Sequence, residues 1–144
     1  MSGERFFLDT SFLQALHNRA DQLHQRALEW NRRAVRARQV VSTEAVMVEF
    51  GNALGAIDRS KAAEAIERFL NASSANGGVV RIIPVDTDLL RRGLKLYSSR
   101  GDKDWGLTDC ISFVVMREMG VTDALTADRH FVQAGFRAML LEKG

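Results

Sequence analysis

Arg5-Phe6-Phe7-Leu8-Asp9-Thr10-Ser11 is the stretch on which the fold turns. A short apolar run, Arg5–Asp9, ends in an acid, and the two hydroxyl residues Thr10 and Ser11 stand where a helix reaching about His17 would be capped. The same punctuation recurs along the chain. From Asp21 to about Ala37, Leu23, Ala27, Trp30 and Ala34 fall at helical spacing opposite an arginine-rich face. Gln39–Ser42 predicts a buried strand, and Thr43 caps a helix through about Leu54, with Gly55 near its end. Ser60–Ala75 is helical through Ala62, Ile66, Phe69 and Leu70, and Asn71–Gly78 reads as a helix stop and turn. Val79–Pro84 is strand-like, and Asp86–Arg100 is helical with Leu90, Leu94 and Tyr97 turned inward.

In Thr108–Met119 the apolar residues surround the axis, which predicts a central, buried helix ended by Gly120. Ala124–Thr126 is a short strand, Asp128–Ala134 a helical turn or two, and Ala138–Leu141 a last strand. Strands and helices alternate, and the strands lie too far apart for hairpins. That pattern means βαβ units, a parallel sheet and an α/β sandwich.

The chain has 144 residues, enough for one domain, read as 1–144, with no linker and no repeat. Apolar residues at 46% and charged ones at 26% exclude a disordered or fibrous class. No apolar run approaches the ~18 residues of a membrane span. The N-terminal stretch has no apolar core of a secretory signal. Cys110 is the only cysteine, so an intrachain disulfide is excluded and a reduced, cytoplasmic location fits.

Charge becomes informative once it is divided. Twenty Lys and Arg face eighteen Asp and Glu, a net +2. Setting aside Asp9, Glu49, Asp104, Asp109 and Asp128 leaves thirteen acids, and an excess of +7 on the remaining body. Asp9 ends the first strand, Asp128 follows the Ala124–Thr126 strand, and Asp109 lies in the first turn of the buried helix. Glu49 sits within an apolar helix, where a carboxylate is costly unless paired, metal-bound or at an exposed edge. Taken singly, Asp9 and Asp128 also suit helix N-caps, and Asp109 suits a helix dipole. Together they would meet outside the carboxyl ends of the strands, where open α/β sheets bind ligands.

Two carboxylates ~4 Å apart repel by ~4 kcal/mol at an effective dielectric of ~20. A gathered set must therefore take up protons or cations. Oxygen donors without a Cys/His cluster favour Mg²⁺ or Mn²⁺, one or two ions, which would activate water for in-line attack on phosphorus. The hydroxyls of Thr10, Ser11, Thr108 and Thr126 adjoin three of the acids, and Asn52 shares a helical face with Glu49. An acidic spot on a basic body points to metal ions acting on a phosphate polymer.

Four stretches carry a family resemblance: FLDTSFL (7–13), STEAVMVEFGNAL (42–54), DKDWGLTDCISFVVMREMG (102–120) and ALTADRHFVQAGFRAMLL (124–141). In order and over nearly the whole chain, they resemble PIN-domain ribonucleases, and within these the VapC-type toxins of toxin–antitoxin pairs. The resemblance implies a three-layer α/β/α sandwich around a parallel sheet of about five strands. It implies an acidic quartet carried onto Asp9, Glu49, Asp109 and Asp128, with Asp104 as an auxiliary acid. The supporting hydroxyls would be Thr10 or Ser11, Thr108 and Thr126. Gly106 stands where many relatives have Ser, a departure that bears on fine positioning. The implied activity is Mg²⁺- or Mn²⁺-dependent cleavage of RNA leaving 5′-phosphate and 3′-hydroxyl ends. The implied partners are a small antitoxin and a second copy of the chain, with no membrane. The alternatives are an RNA-processing nuclease without an antitoxin, and a non-catalytic binding module on the same scaffold.

Between residues 19 and 38, Arg19, Arg26, Arg32, Arg33, Arg36 and Arg38 face only Asp21 and Glu29. This is a solvated helix face or a ridge gripping RNA or antitoxin. Trp105 either covers the core or stacks a base. His17, His24 and His130 form no evident acid–base pair, and His130 is expected to pack or cap locally. No phosphate-binding glycine loop, nucleophile elbow or zinc-binding HExxH occurs, which excludes the usual nucleotide-binding, serine-hydrolase and zinc-peptidase classes.

Overall fold

A computed structural model of the chain, describing residues 3–75 and 77–142, places β1 (Arg5–Leu8) at the centre of a five-stranded parallel sheet. The other strands are β2 (Gln39–Thr43), β3 (Val80–Ile83), β4 (Asp123–Leu125) and β5 (Arg137–Ala138), in the order β3-β2-β1-β4-β5. Phe6 and Phe7 of β1 are fully buried, as a strand covered on both faces demands. Arg5 fastens its start, donating from Nη2 to Gln39 Oε1 at 2.8 Å and from Nη1 to the Met119 carbonyl at 2.9 Å.

Among the described residues, seven helices cover the sheet: α1 (Thr10–His17), α2 (His24–Ala34), α3 (Glu44–Gly55), α4 (Arg59–Ser74), α5 (Thr87–Ser99), α6 (Leu107–Met119) and α7 (Arg129–Gln133). Side-chain caps set several starts. Thr43 Oγ1 accepts from Val46 N, Asp58 Oδ1 from Lys61 N, and Asp86 Oδ1 from Leu89 N. Gly120, at φ +68°, ends α6 in the left-handed conformation that glycine adopts without strain. α1 to α4 pack mainly on one another and α5 packs on α6, while α3 also touches α6. Right-handed crossovers produce this division when strand order reverses beside β1.

The α/β/α reading holds, with corrections. The last strand is Arg137–Ala138 alone, and Met139–Leu141 form a 3-10 turn. α2 starts at His24 rather than Asp21, whose carboxylate instead accepts from Leu23 N in a turn. α4 runs on to Ser74, and within the Asn71–Gly78 stop Asn76 lies outside the described residues. The inward face of α5 is Leu89 and Gly93, while Leu90, Leu94 and Tyr97 are exposed by 41, 49 and 47%. The reason is close approach: a Cβ on Gly93 would lie 2.6 Å from Ile111 Cγ1, so α6 presses against the one residue that leaves room for it.

Beneath the carboxyl ends of β1 and β4, aromatic rings interlock. Phe113 of α6 meets Trp105, Phe131 and Phe136 at centroid distances of 5.1, 4.9 and 5.7 Å, and Phe131 meets Phe7 at 6.3 Å. Phe113 is fully buried, so Phe113→Ala should lower unfolding free energy by ~3–5 kcal/mol in denaturant titrations. A loss under ~1 kcal/mol would show that the ring cluster is not what holds α6 to the sheet.

Candidate active site

β1 and β4 are neighbours, and the chain leaves them in opposite directions across the sheet. A crevice opens at such a switch point, and the residue following each strand faces it. Asp9 follows β1, Thr126 and Asp128 follow β4, and the N-terminal turn of α6 brings Asp109 to the same end.

Asp9 is 4% exposed and occupies the N-cap position of α1 without making a capping hydrogen bond. Its Oδ2 accepts from Thr126 Oγ1 at 2.7 Å and from Ser11 Oγ at 3.3 Å. Thr126 Oγ1 also accepts from Asp128 N at 3.0 Å, and Ser11 Oγ accepts from Ala127 N at 3.0 Å. The hydroxyls of Ser11 and Thr126 are 3.1 Å apart, so β1, α1 and the β4 end form one network. Ser11 thus serves the acid rather than capping α1. The hydroxyl of Thr10 is buried with no hydrogen-bond partner among the described residues.

Asp109 Oδ2 accepts from Gly106 N at 3.3 Å and lies 3.2 Å from His130 Nδ1. Asp128 Oδ1 accepts from His130 N at 2.9 Å, capping α7, and lies 3.2 Å from the same Nδ1. Capping and clustering, alternatives in the sequence, are both realised by Asp128. One ligand atom each from Asp109, Asp128 and His130 falls within 4.8 Å of the others. His130 therefore belongs to the cluster rather than packing or capping only locally. The signal that could have found it is its place two residues after Asp128, on the turn that returns the ring toward the acid.

The electrostatics follow from burial and crowding. The Asp9 carboxyl is pushed up to about 7, chiefly by burial and also by the charges of Asp109 and Asp128, against the lowering effect of its hydrogen bonds to Thr126 and the Thr10 amide. Burial also raises Asp109, followed by the charge of Asp128, against the lowering effect of the Gly106 amide and His130. The carboxyls of Asp109 and Asp128 with the His130 imidazole, near the buried Asp9, fit a divalent cation, whose charge would relieve the cost of keeping the acids ionised.

The remaining expected residues fall outside that three-residue group. Glu49 is exposed on α3 and Asp104 is exposed ahead of α6, both outside the Asp109–Asp128–His130 group. Asn52 is exposed and lines a groove between α3 and α4 with Gly55, Arg59 and Ile66. Thr108 is half-buried in the first turn of α6, where its carbonyl accepts from Ser112 Oγ. Trp105 cannot stack a base: it is 4% exposed, its Nε1 donates to Gln133 Oε1 at 3.0 Å, and Arg100 covers its ring at 5.0 Å. Arg26 Nε donates to the Leu140 carbonyl at 2.7 Å, and Arg33 pairs with Glu4 while lying 4.4 Å over Trp30. These two arginines hold the fold together. Arg19, Arg32 and Arg36 are exposed.

A parallel sheet of this order, with acids converging at its switch point, defines a class, and residues 6–137 match the PIN domain. The chain belongs to the PIN-domain family. It is 30% identical over 131 residues to the "23S rRNA-specific endonuclease VapC20" of Mycobacterium tuberculosis, from strains CDC 1551 / Oshkosh and ATCC 25618 / H37Rv alike. The match covers 90% of this chain and 94% of that protein. The crystal structure of Mycobacterium tuberculosis VapC20, described as a sarcin-ricin loop cleaving toxin, superposes with a TM-score of 0.75 at 30% identity. That superposition spans 91% of this chain and 95% of the other.

The proton on Asp9 gives a test independent of activity. In the metal-free protein Asp9 keeps it to about pH 7, whereas the unfolded chain loses it near the ordinary 3.8. The native state binds more protons between these values, so stability falls as pH rises through the window, by ~4 kcal/mol for this group. Thermal melts in EDTA should therefore decline from pH 5 to pH 8, and Asp9→Asn should remove most of the decline and melt above the unaltered chain at pH 8. An unchanged pH slope in Asp9→Asn would show that the carboxyl is not the buried group at issue.

Proposed function

We propose that the chain is an endoribonuclease toxin that hydrolyses a phosphodiester bond in large-subunit ribosomal RNA, using a divalent cation held by Asp9, Asp109 and Asp128. The convergence of Asp109, Asp128 and His130 within 4.8 Å, beside the buried Asp9, carries this reading. The ribosomal substrate is suggested by the printed specificity of VapC20. When bound, such an ion supplies a water of lowered pKa and charge neutralisation at the scissile phosphate.

The protein's own groups supply positioning. Thr126 and Ser11 hold Asp9 Oδ2 in one place, so the carboxylate need not reorganise when charge arrives. The Gly106 amide orients Asp109 in the same way. The basic remainder of the chain draws a polyanion toward the acidic crevice. Glu49 and Asp104 are exposed, and the reading does not depend on them. No helix among the described residues is long and apolar enough to cross a membrane, which suits action in the cytoplasm.

The reading includes an antitoxin and a homodimer. Arg19 and Arg32 are exposed bases suited to contact RNA or antitoxin. The α5 stripe of Leu90, Leu94 and Tyr97 is an apolar surface suited to a second copy. Light scattering should then give about twice the 16.1 kDa chain mass, and Leu94→Asp should return it to the single-chain value. A monomeric unaltered chain would remove the dimer from the reading.

Purified protein incubated with ribosomes and Mg²⁺ or Mn²⁺ should make a discrete cut in large-subunit RNA with a 5′-phosphate end, and EDTA should stop it. Asp109→Asn should slow cutting by ~10²-fold or more. Cutting by Asp109→Asn at the unaltered rate would defeat the proposal, as would cutting that survives EDTA.

A further inference from the structure

We propose that His130 is a metal ligand, its Nδ1 joining one oxygen each of Asp109 and Asp128, and that this nitrogen biases the site toward Mn²⁺ over Mg²⁺. The inference rests on the reading of the cluster as a divalent-cation site. Neither the chain's resemblances nor the pattern of acids at strand ends assigns His130 any role at the metal.

The spacing is the first argument. Metal–ligand bonds of ~2.1 Å put neighbouring ligands of an octahedral ion ~3.0 Å apart. His130 Nδ1 lies 3.2 Å from Asp109 Oδ2 and 3.2 Å from Asp128 Oδ1, so both separations match edges of such an octahedron with an adjustment of tenths of an ångström. The second argument is orientation. The amide of His130 is already bound to Asp128 Oδ1 at 2.9 Å, which fixes the backbone and returns the ring to the carboxylate it follows. The third is the lack of any competing use. The contacts of Nδ1 among the described residues are the two carboxylates, so no backbone carbonyl holds that nitrogen away from an ion. His17 and His24 differ in this respect, since their Nδ1 atoms sit 2.8 and 2.7 Å from the Leu13 and Ala15 carbonyls.

Coordination needs the neutral ring with its proton on Nε2, leaving the Nδ1 lone pair for the ion. Imidazole strengthens binding along the transition series, whereas Mg²⁺ prefers oxygen and keeps its waters. A nitrogen added to the carboxylate oxygens therefore discriminates between ions that an all-carboxylate site would take more evenly. The competing reading has Nδ1–H donate to both carboxylates and merely set their spacing.

Spectroscopy on the unaltered, full-length chain separates the two without relying on a variant that folds. Loss of the free Mn²⁺ signal in electron paramagnetic resonance reports binding, and pulsed measurement of the bound ion reports a directly coordinated nitrogen through its ¹⁴N coupling. A ¹⁴N coupling is expected in the unaltered chain and its loss in His130→Asn and His130→Gln. Those variants should weaken Mn²⁺ binding by ~10-fold or more while Mg²⁺ affinity, read by competition, changes less than ~3-fold. Saturable Mn²⁺ binding without nitrogen coupling would overturn His130 as a ligand while leaving the cation site standing. Equal losses for the two ions would overturn the bias. Absence of any Mn²⁺ binding would overturn the cation reading along with it.

Discussion

A carboxyl group buried at the end of the central strand is the constraint around which the molecule is arranged. Asp9 has almost no access to water, and its Oδ2 is held by Thr126 at 2.7 Å. A buried carboxylate is tolerated only when hydrogen bonds and a counter-charge meet it. Thr126 lies at the end of β4, 117 positions away, so the bond exists only when β4 pairs with β1. Sheet order, strand register and site assembly are thus one event.

Below that point the site stands on apolar packing. Phe7, Phe113, Phe131 and Phe136 join β1, α6, α7 and the approach to β5, the same elements that carry or flank Asp9, Asp109 and Asp128. Rigid rings fix the acids at a spacing that repulsion alone would widen. Stability and chemistry pull in opposite directions here. The folded chain brings together carboxyls that burial and mutual charge push upward, and holds them with ring contacts, hydroxyls and one imidazole.

Much of this was legible in the residues. Alternation of short apolar runs with helical periods required a parallel sheet, because no strand had a hairpin partner near it. Acids at strand ends pointed to a crevice, because side chains just past parallel strands line the switch point. Asp9, Asp109 and Asp128 do lie near enough for their charges to act on one another. The failures share a cause, since each concerns which side of an element faces what. Leu90, Leu94 and Tyr97 make as good an apolar stripe as a buried helix face, yet the close approach at Gly93 turned the other side of α5 to the core. For Trp105, Arg26 and Arg33 the sequence left nucleic-acid contact open beside a structural role, and the structural role holds, because an indole needs a partner for its N–H and a guanidinium finds carbonyls and rings nearby.

By itself, the order of residues determined the element types, the parallel sheet and the acids at its strand ends, because period and punctuation are local properties. Only the tertiary structure decided that Asp109, Asp128 and His130 share one small volume near the buried Asp9. Distances between residues far apart in sequence depend on how sheet and helices close on each other, and no local pattern encodes them.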